Sequence, residues 1–238
     1  MNIVIPSAGL GSRFSSKGYT VPKPFIPVKG IPMIEHIVSN ISTSEDKIFI
    51  ILRAEHLDFW SSTNLLNRRN ISLVPQSGRL DGAVQSVLLT QRFIDNDEPL
   101  MIANSDQWIP LSASTWRKAF SQSSHDAQIL TFPSPDGNPK WSYADVRDNN
   151  LITRVAEKVA ISDYATVGVY TFARGSDFVR GAWDMMSKDI RVNGEFYVCP
   201  VFNQLIGDSF KVQNFTVPMF GMGTPEDLEQ NYSKIGVY

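Results

Sequence analysis

Short apolar runs alternate with segments of helical spacing over the first 132 residues. "MNIVIP" (1–6), "KIFIILR" (47–53), "ISLV" (71–74), "PLMIAN" (99–104) and "AQILTF" (127–132) are nearly continuous in apolar or β-branched residues, as strands buried on both faces are. Between them, "IPMIEHIVSNI" from Ile31, "EHLDFWSSTNLL" from Glu55 and "DGAVQSVLLTQRF" from Asp81 repeat apolar positions at the spacing of a helix. Strand and helix in alternation predict an α/β fold, a doubly wound and mostly parallel sheet of Rossmann-like type. Ligands of such sheets sit outside the carboxyl ends of the strands, so chemistry is expected in the loops after Ile5, Val74 and Ala103.

The pattern changes after Phe132. "SPDGNPKWSYADVRDNNLITRVAEK" reads as turn, strand, polar "DNN" turn and strand, which predicts a small hairpin-rich insertion or lid, and "TVGVYTF" (166–172) adds a strand. Helical spacing returns in "SDFVRGAWDMM" (176–186) and "CPVFNQLIG" (199–207), followed by a strand at "KVQNFTV" (211–217). A last helix starts with Thr224 as cap and Pro225 at its first position, with the Asp227 carboxylate placed to reach back to the cap.

Composition narrows the class. A chain of 238 residues, 42% hydrophobic and 19% charged, suits a single domain over 1–238, with a front half at 1–132 and a back half at 133–238. A net charge of −2 gives no basic excess to draw the chain onto nucleic acid or an acidic membrane. No apolar run approaches the roughly 20 residues that span a bilayer. One cysteine, Cys199, cannot form an internal disulfide, and the N-terminus runs straight into a strand; a soluble, cytoplasmic protein is expected. Nothing in the pattern excludes a homo-oligomer.

The densest chemistry lies in "IPSAGLGSRFSSKGYTVPKPF" (5–25), a glycine-rich turn directly after a buried strand. Glycine accepts unusual dihedrals and brings no Cβ, so backbone N–H groups can face an anion, phosphate first among candidates. The Walker pattern fails, because Arg13 and Phe14 stand where Lys and Ser/Thr belong; the dinucleotide fingerprint fails, because Phe14 replaces its third glycine and no helix is expected to start there. What remains is a loop carrying Arg13, Lys17 and Lys23, the last stiffened by Pro22 and Pro24. A solvated surface loop would have a similar composition.

The longer pattern "GLGSRF…KPFIPVKGIPMIEHIV" resembles the signature of the sugar-1-phosphate nucleotidyltransferases, which join a nucleoside triphosphate to a sugar 1-phosphate. The resemblance implies a GT-A-like nucleotidyltransferase fold, a triphosphate held by Ala8, Gly9, Leu10, Gly11, Ser12 and Arg13, and Lys23 neutralising charge at the reacting phosphates. It also assigns later pieces. In "VPQSGRLDGAVQSVLL", Gln76 would read a base edge while Gly82 and Ala83 let the ring approach the backbone; Asp81 could equally be a helix cap. In "MIANSDQW", Asp106 would bind Mg²⁺, although Ser105 or Asp106 could instead cap a helix. "RVAEKVAISDYATVGVYTF" resembles the acceptor segment, giving Glu157, Lys158 and Gly168. Only one of Glu157 and Lys158 can face the site along a regular strand. Glu195 of "NGEFYV" is a candidate for the acceptor's hydroxyls or a lone surface carboxylate.

One position departs from that family, which commonly has an aspartate two residues before "GTPEDL"; here it is Gly221. The second metal carboxylate is therefore missing from its usual place. Either Asp106 and the phosphates suffice for one Mg²⁺, another carboxylate substitutes, or catalysis is lost; the first is favoured. The reading is transfer of a nucleoside monophosphate, from a pyrimidine triphosphate, to a sugar 1-phosphate. Catalysis would rest on Arg13, Lys23 and Asp106, with no histidine base. The alternatives are a cytidylyltransferase with a non-sugar phosphate acceptor and an inactive nucleotide-binding regulatory subunit.

Overall fold

The structure, a computed structural model, describes residues 1–236. Along the chain the strands are β1 (Asn2–Pro6), β2 (Pro27–Val28), β3 (Ile31–Pro32), β4 (Lys47–Arg53), β5 (Ile71–Gln76), β6 (Leu100–Ala103), β7 (Gln107–Trp108), β8 (Ala127–Pro133), β9 (Ser142–Val146), β10 (Leu151–Glu157), β11 (Tyr164–Phe172), β12 (Val212–Thr216) and β13 (Phe220–Gly221). The α-helices are α1 (Ser12–Ser15), α2 (Met33–Ile41), α3 (Ala83–Leu88), α4 (Gln91–Ile94), α5 (Ala113–Ser121), α6 (Gly175–Ser187), α7 (Val201–Gly207) and α8 (Pro225–Asn231). Among the described residues nine strands form one sheet, in the order β5-β4-β1-β6-β11-β8-β12-β10-β9.

The sheet has two characters. β5, β4, β1 and β6 are mutually parallel, as the near-continuous apolar runs require. Beyond β6, β11 runs antiparallel to both β6 and β8, β12 is parallel to β8, and β10 and β9 close the edge as an antiparallel hairpin. The hairpin expected after Phe132 is present and extends this sheet edge. Its "DNN" turn has Asn149 and Asn150 at φ 64° and 57°, a conformation the short Asn side chain tolerates.

Side-chain alternation sends β1 into two cores. Ile3 and Ile5 pack on one face with Ile34 and Ile37 of α2 and Trp116 of α5. Val4 packs on the other with Val84 of α3, Phe178 of α6 and Phe202 of α7. Each fully buried aliphatic side chain contributes about 1.5–3 kcal/mol. This rigid centre fixes the strand ends that carry the site. None of the helices among the described residues is long and apolar enough to cross a membrane.

Several local expectations are corrected. The helix expected from Glu55 is a 3-10 helix, Ala54–Ser62, in which Trp60 alone is buried, so there is no apolar face to hold a full α-helix. The helix from Asp81 is split into α3 and α4. Asp81 does not cap α3: Gly82 holds the cap position at φ 115°, ψ 175°, and Asp81 pairs with Arg191 at 3.0 Å. A turn of helix, α1, does follow Gly11, and buries Phe14 against Tyr19 edge-to-face at 5.1 Å. α5 carries Ala113, Trp116 and Phe120 into the core at helical spacing and has no counterpart among the expected elements. Thr224 caps α8 as expected, accepting from the Asp227 N–H at 3.0 Å, but the Asp227 carboxylate turns to Lys140 at 2.8 Å instead of back to the cap.

Candidate active site

The loops at the carboxyl ends of β1, β4, β5 and β6 surround a cavity of about 560 Å³. From the first loop come Ala8, Gly9, Leu10, Gly11, Ser12 and Arg13; from the others come Gln76, Gly82, Ala83 and Asp106, with Lys23 and Glu195 completing the wall. The three loops singled out by the strand pattern therefore converge on one space.

Gly11 is glycine for two reasons. Its φ of 63° is left-handed, and a Cβ on it would come within 3.1 Å of the Lys23 Cβ. That close approach brings Lys23 beside the loop. Lys23 opens a 3-10 turn whose next two residues, Pro24 and Phe25, are buried, and Phe25 stacks on Phe59 at 5.7 Å. The lysine backbone is anchored by this packing, and its Nζ donates to Asp106 Oδ2 across the cavity floor. The two side chains are 19% and 17% exposed, enough for a ligand to reach both.

Asp106 caps no helix; its carbonyl accepts from Met222 N–H at 2.7 Å, and the next residues enter β7, which pairs with β13. Its second oxygen, Oδ1, is buried with no hydrogen-bond partner among the described residues. No group of three or more His, Cys, Asp or Glu side chains is placed to hold a metal among those residues.

Gln76, buried at the end of β5, accepts from Ser86 Oγ at 2.7 Å through Oε1, leaving its Nε2 hydrogens to donate. Glycine suits position 82: a Cβ there would lie 2.5 Å from the carbonyl oxygen of Phe196, so the backbone would have to shift to admit one. The contact is part of a stitch between the halves, with Phe196 N–H donating to Asp81 and Val84 N–H donating to Phe196.

Glu157, Lys158 and Gly168 are not in the cavity wall. Glu157 is buried in β10 and accepts from Ser142 Oγ; burial pushes its carboxyl above the ordinary 4.5, against the lowering pull of Ser142 and Lys158. Lys158 follows the last residue of the strand in a left-handed conformation, φ 59°, so successive residues escape strict alternation. Its Nζ donates to the Tyr197 hydroxyl and lies 4.4 Å from the centre of that ring. Burial and then Glu195 push the Tyr197 hydroxyl up, which keeps it protonated. A chain of polar groups thus runs from Glu195, in the wall, through Tyr197 to Lys158. Gly168, at φ 83° in β11, lets the Asn104 side chain close in; a Cβ there would be 2.3 Å from Asn104 Nδ2.

Polar cavity residues beyond the sequence expectations include Arg53, Arg79, Asn104 and Ser86. Arg53 ends β4 and is held by Glu55 at 2.5 Å; Arg79 reaches Glu195 at 4.0 Å. Applying the rule of strand ends to β4 would have found Arg53. His36 is a packing residue, bonded to the Val28 carbonyl at 2.8 Å and edge-on to Trp108. Burial raises the Cys199 thiol, leaving it protonated in the core.

The nucleotidyl transferase family model matches residues 2–182. Among curated relatives, the bifunctional protein GlmU of Janthinobacterium sp. (strain Marseille) is 28% identical over 158 residues, 66% of this chain and 33% of that protein. GlmU of Methanocaldococcus jannaschii is 28% identical over 109 residues, 44% of this chain and 25% of that protein. The chain thus spans a quarter to a third of the length of these relatives. In architecture it is similar to the nucleoside-diphosphate-sugar pyrophosphorylase of Vibrio cholerae RC9, with a TM-score of 0.81 at 21% identity, covering 98% of this chain and 100% of that one. It is also similar to the inositol-1-phosphate CTP transferase of T. maritima, with a TM-score of 0.75 at 17% identity, covering 100% and 97%. The glycine loop, the lysine beside it and the aspartate at the end of β6 all lie within the matched span, and the chain belongs to the nucleotidyl transferase family.

Proposed function

We propose that the protein transfers a nucleoside monophosphate from a pyrimidine nucleoside triphosphate to a sugar 1-phosphate, releasing pyrophosphate. The observation that carries this reading is the Lys23–Asp106 pair on the floor of a cavity walled by the glycine loop. Arg13, Lys23, Arg53 and Arg79 in that wall outnumber Asp106 and Glu195, which suits a polyanion better than a neutral substrate.

An acceptor phosphate has a second pKa near 6, so its attacking oxygen is already ionised at neutral pH and needs no general base. That oxygen attacks the α-phosphorus, and the bond to the leaving pyrophosphate breaks on the opposite side. The residues' task is positioning and charge neutralisation. The loop amides from Ala8 to Ser12 and the Arg13 guanidinium bind the triphosphate, and Lys23 Nζ stabilises charge on the reacting phosphates. Gln76 donates from Nε2 to an acceptor on the base edge, which the carbonyl groups of a pyrimidine provide. Lys158 and Glu195 hold the acceptor's phosphate and hydroxyls, with Glu157 orienting Lys158 and Gly168 shaping the strand beside them.

The unpartnered, buried Oδ1 of Asp106 fits Mg²⁺, which takes one or two carboxylates and completes its shell with water and phosphate oxygens. Asp106 would hold the ion, which when bound supplies further charge neutralisation at the phosphates.

The test is a matrix of CTP, UTP, dTTP, ATP and GTP against sugar 1-phosphates, phosphocholine and inositol phosphate, read as pyrophosphate release. Release with one pyrimidine triphosphate and one sugar 1-phosphate is expected. Release only with a non-sugar acceptor would replace the substrate class. Thermal stabilisation by nucleotide without release would leave a binding subunit.

A further inference from the structure

Arg53 and Gln76 are neighbours at the ligand edge of the sheet. They end the parallel strands β4 and β5 and stand opposite each other in register, so their side chains leave the same face. Both line the cavity, Gln76 buried and Arg53 half-buried. Gly82 and Ala83, which bring no bulk, line the same wall.

What the pair offers a ligand is of one kind. Ser86 Oγ donates to Gln76 Oε1 at 2.7 Å, which leaves the amide Nε2 to donate. Glu55 takes Nε and Nη2 of Arg53, both at 2.5 Å, which fixes the plane of the guanidinium and leaves Nη1 with no partner among the described residues. An amide can turn over to accept; a guanidinium never accepts, because it has no free lone pair and stays charged. The carboxylates of the wall are already matched with cations, Asp106 by Lys23 and Glu195 by Arg79 at 4.0 Å.

Pyrimidines differ in what they ask of two such donors. O2 accepts in all of them. N3, the next atom along the base-pairing edge, accepts in cytosine but carries a hydrogen in uracil and thymine. Cytosine thus brings two adjacent acceptors to two adjacent donors, and its amino group lies at the far end of the edge. Uracil and thymine would set N3–H against a donor and leave both unsatisfied, which is costly where water is excluded.

We propose that Arg53 selects cytosine, donating from Nη1 to N3 while Gln76 Nε2 donates to O2, so that the triphosphate is CTP. This rests on the reading of Gln76 as the contact to a pyrimidine carbonyl and narrows that reading to one base.

Binding of CTP, UTP, dTTP, ATP and GTP to the full chain, measured by isothermal titration calorimetry with no acceptor present, tests the proposal without turnover. Wild type is expected to bind CTP about tenfold or more tighter than UTP or dTTP, as an unsatisfied buried donor requires. Arg53→Met should weaken CTP about tenfold and leave UTP and dTTP where they were or tighter. Arg53→Gln, whose amide can accept from N3–H as well as donate to N3, should bind CTP and UTP alike. Should Arg53→Met fail to fold, Arg53→Gln and the wild-type order of affinities carry the test. UTP or dTTP bound by wild type as tightly as CTP would overturn the proposal and leave a pyrimidine site. So would an equal loss for all five triphosphates in Arg53→Met, which would make Arg53 a phosphate contact. Tightest binding of a purine triphosphate, or no binding of any, would remove the pyrimidine reading itself.

Discussion

The front and back halves of the sheet deliver polar groups in different ways. In the front half β5, β4, β1 and β6 run parallel, so their carboxyl ends share one edge. Gln76, Arg53, the glycine loop and Asp106 all reach the cavity by topology alone. In the back half the pairings are mostly antiparallel, β8 and β12 alone being parallel, and no edge collects the loops. Its lysine arrives through a single departure from regular backbone, Lys158 at φ 59°, and Gly168 at φ 83° only makes room for Asn104 of the front half. A parallel edge concentrates charge on a ligand, whereas an antiparallel region supplies individually placed, partly buried groups.

If the front half does the charge neutralisation, the largest effect belongs there. Lys23→Ala should lower kcat by about two orders of magnitude or more, the roughly 2.7–4 kcal/mol that one preorganised stabilising group commonly contributes. Its melting temperature should barely move, because the anchors of that turn are Pro24 and Phe25. Unchanged turnover in a folded variant would take Lys23 out of the chemistry and erase the contrast between the halves.

The same contrast explains what the sequence made legible. Front-half strands announce themselves as apolar runs, and the ligand edge follows from their parallel order. Arg53, the last residue of β4, follows from the same rule of strand ends, but the expected loops are only those after Ile5, Val74 and Ala103. α5 is legible in principle from Ala113, Trp116 and Phe120, but the serines flanking it resemble a loop. In the back half, the Tyr197–Lys158 contact depends on a left-handed lysine, a conformation that no residue pattern signals for a side chain with a Cβ. The Asp227 carboxylate defeats a local rule in the same way, since Lys140 outcompetes the cap from 87 residues away in the chain.

Gly82 joins the two halves, so its substitution should be felt in both. Gly82→Ala places a Cβ 2.5 Å from the Phe196 carbonyl and holds a non-glycine residue at φ 115°. Strain of about 1–3 kcal/mol is expected for such a backbone, lowering Tm by roughly 2–12 °C, with weaker protection by nucleotide in the same melt. A variant as stable as wild type, still protected by nucleotide, would mean the stitch to Phe196 can slide and the halves are less tightly joined than the contacts imply.

Selectivity between the halves is the sharper test. Lys158→Ala should raise KM for the phosphorylated acceptor about tenfold, equivalent to about 1.4 kcal/mol, while KM for the triphosphate stays the same. A matching rise in the triphosphate KM would place Lys158 on the nucleotide side and merge the two sites.

The smallest effect concerns sign. Burial raises the Glu157 carboxyl above its ordinary 4.5, so the folded state binds the proton more tightly than the unfolded chain does. Stability from this group is complete below the unfolded value and declines as pH rises from about 4.5 through the folded value. Gln at this position keeps a hydrogen-bonding partner for Ser142 and carries no charge to bury. The stability of Glu157→Gln relative to wild type should therefore grow as pH rises through that window and then level off, measured by denaturant melts at several pH values. A relative stability that falls over the same window would mean that Lys158 holds Glu157 ionised, and the back half would then work through a charge pair, as the front half does through Lys23 and Asp106.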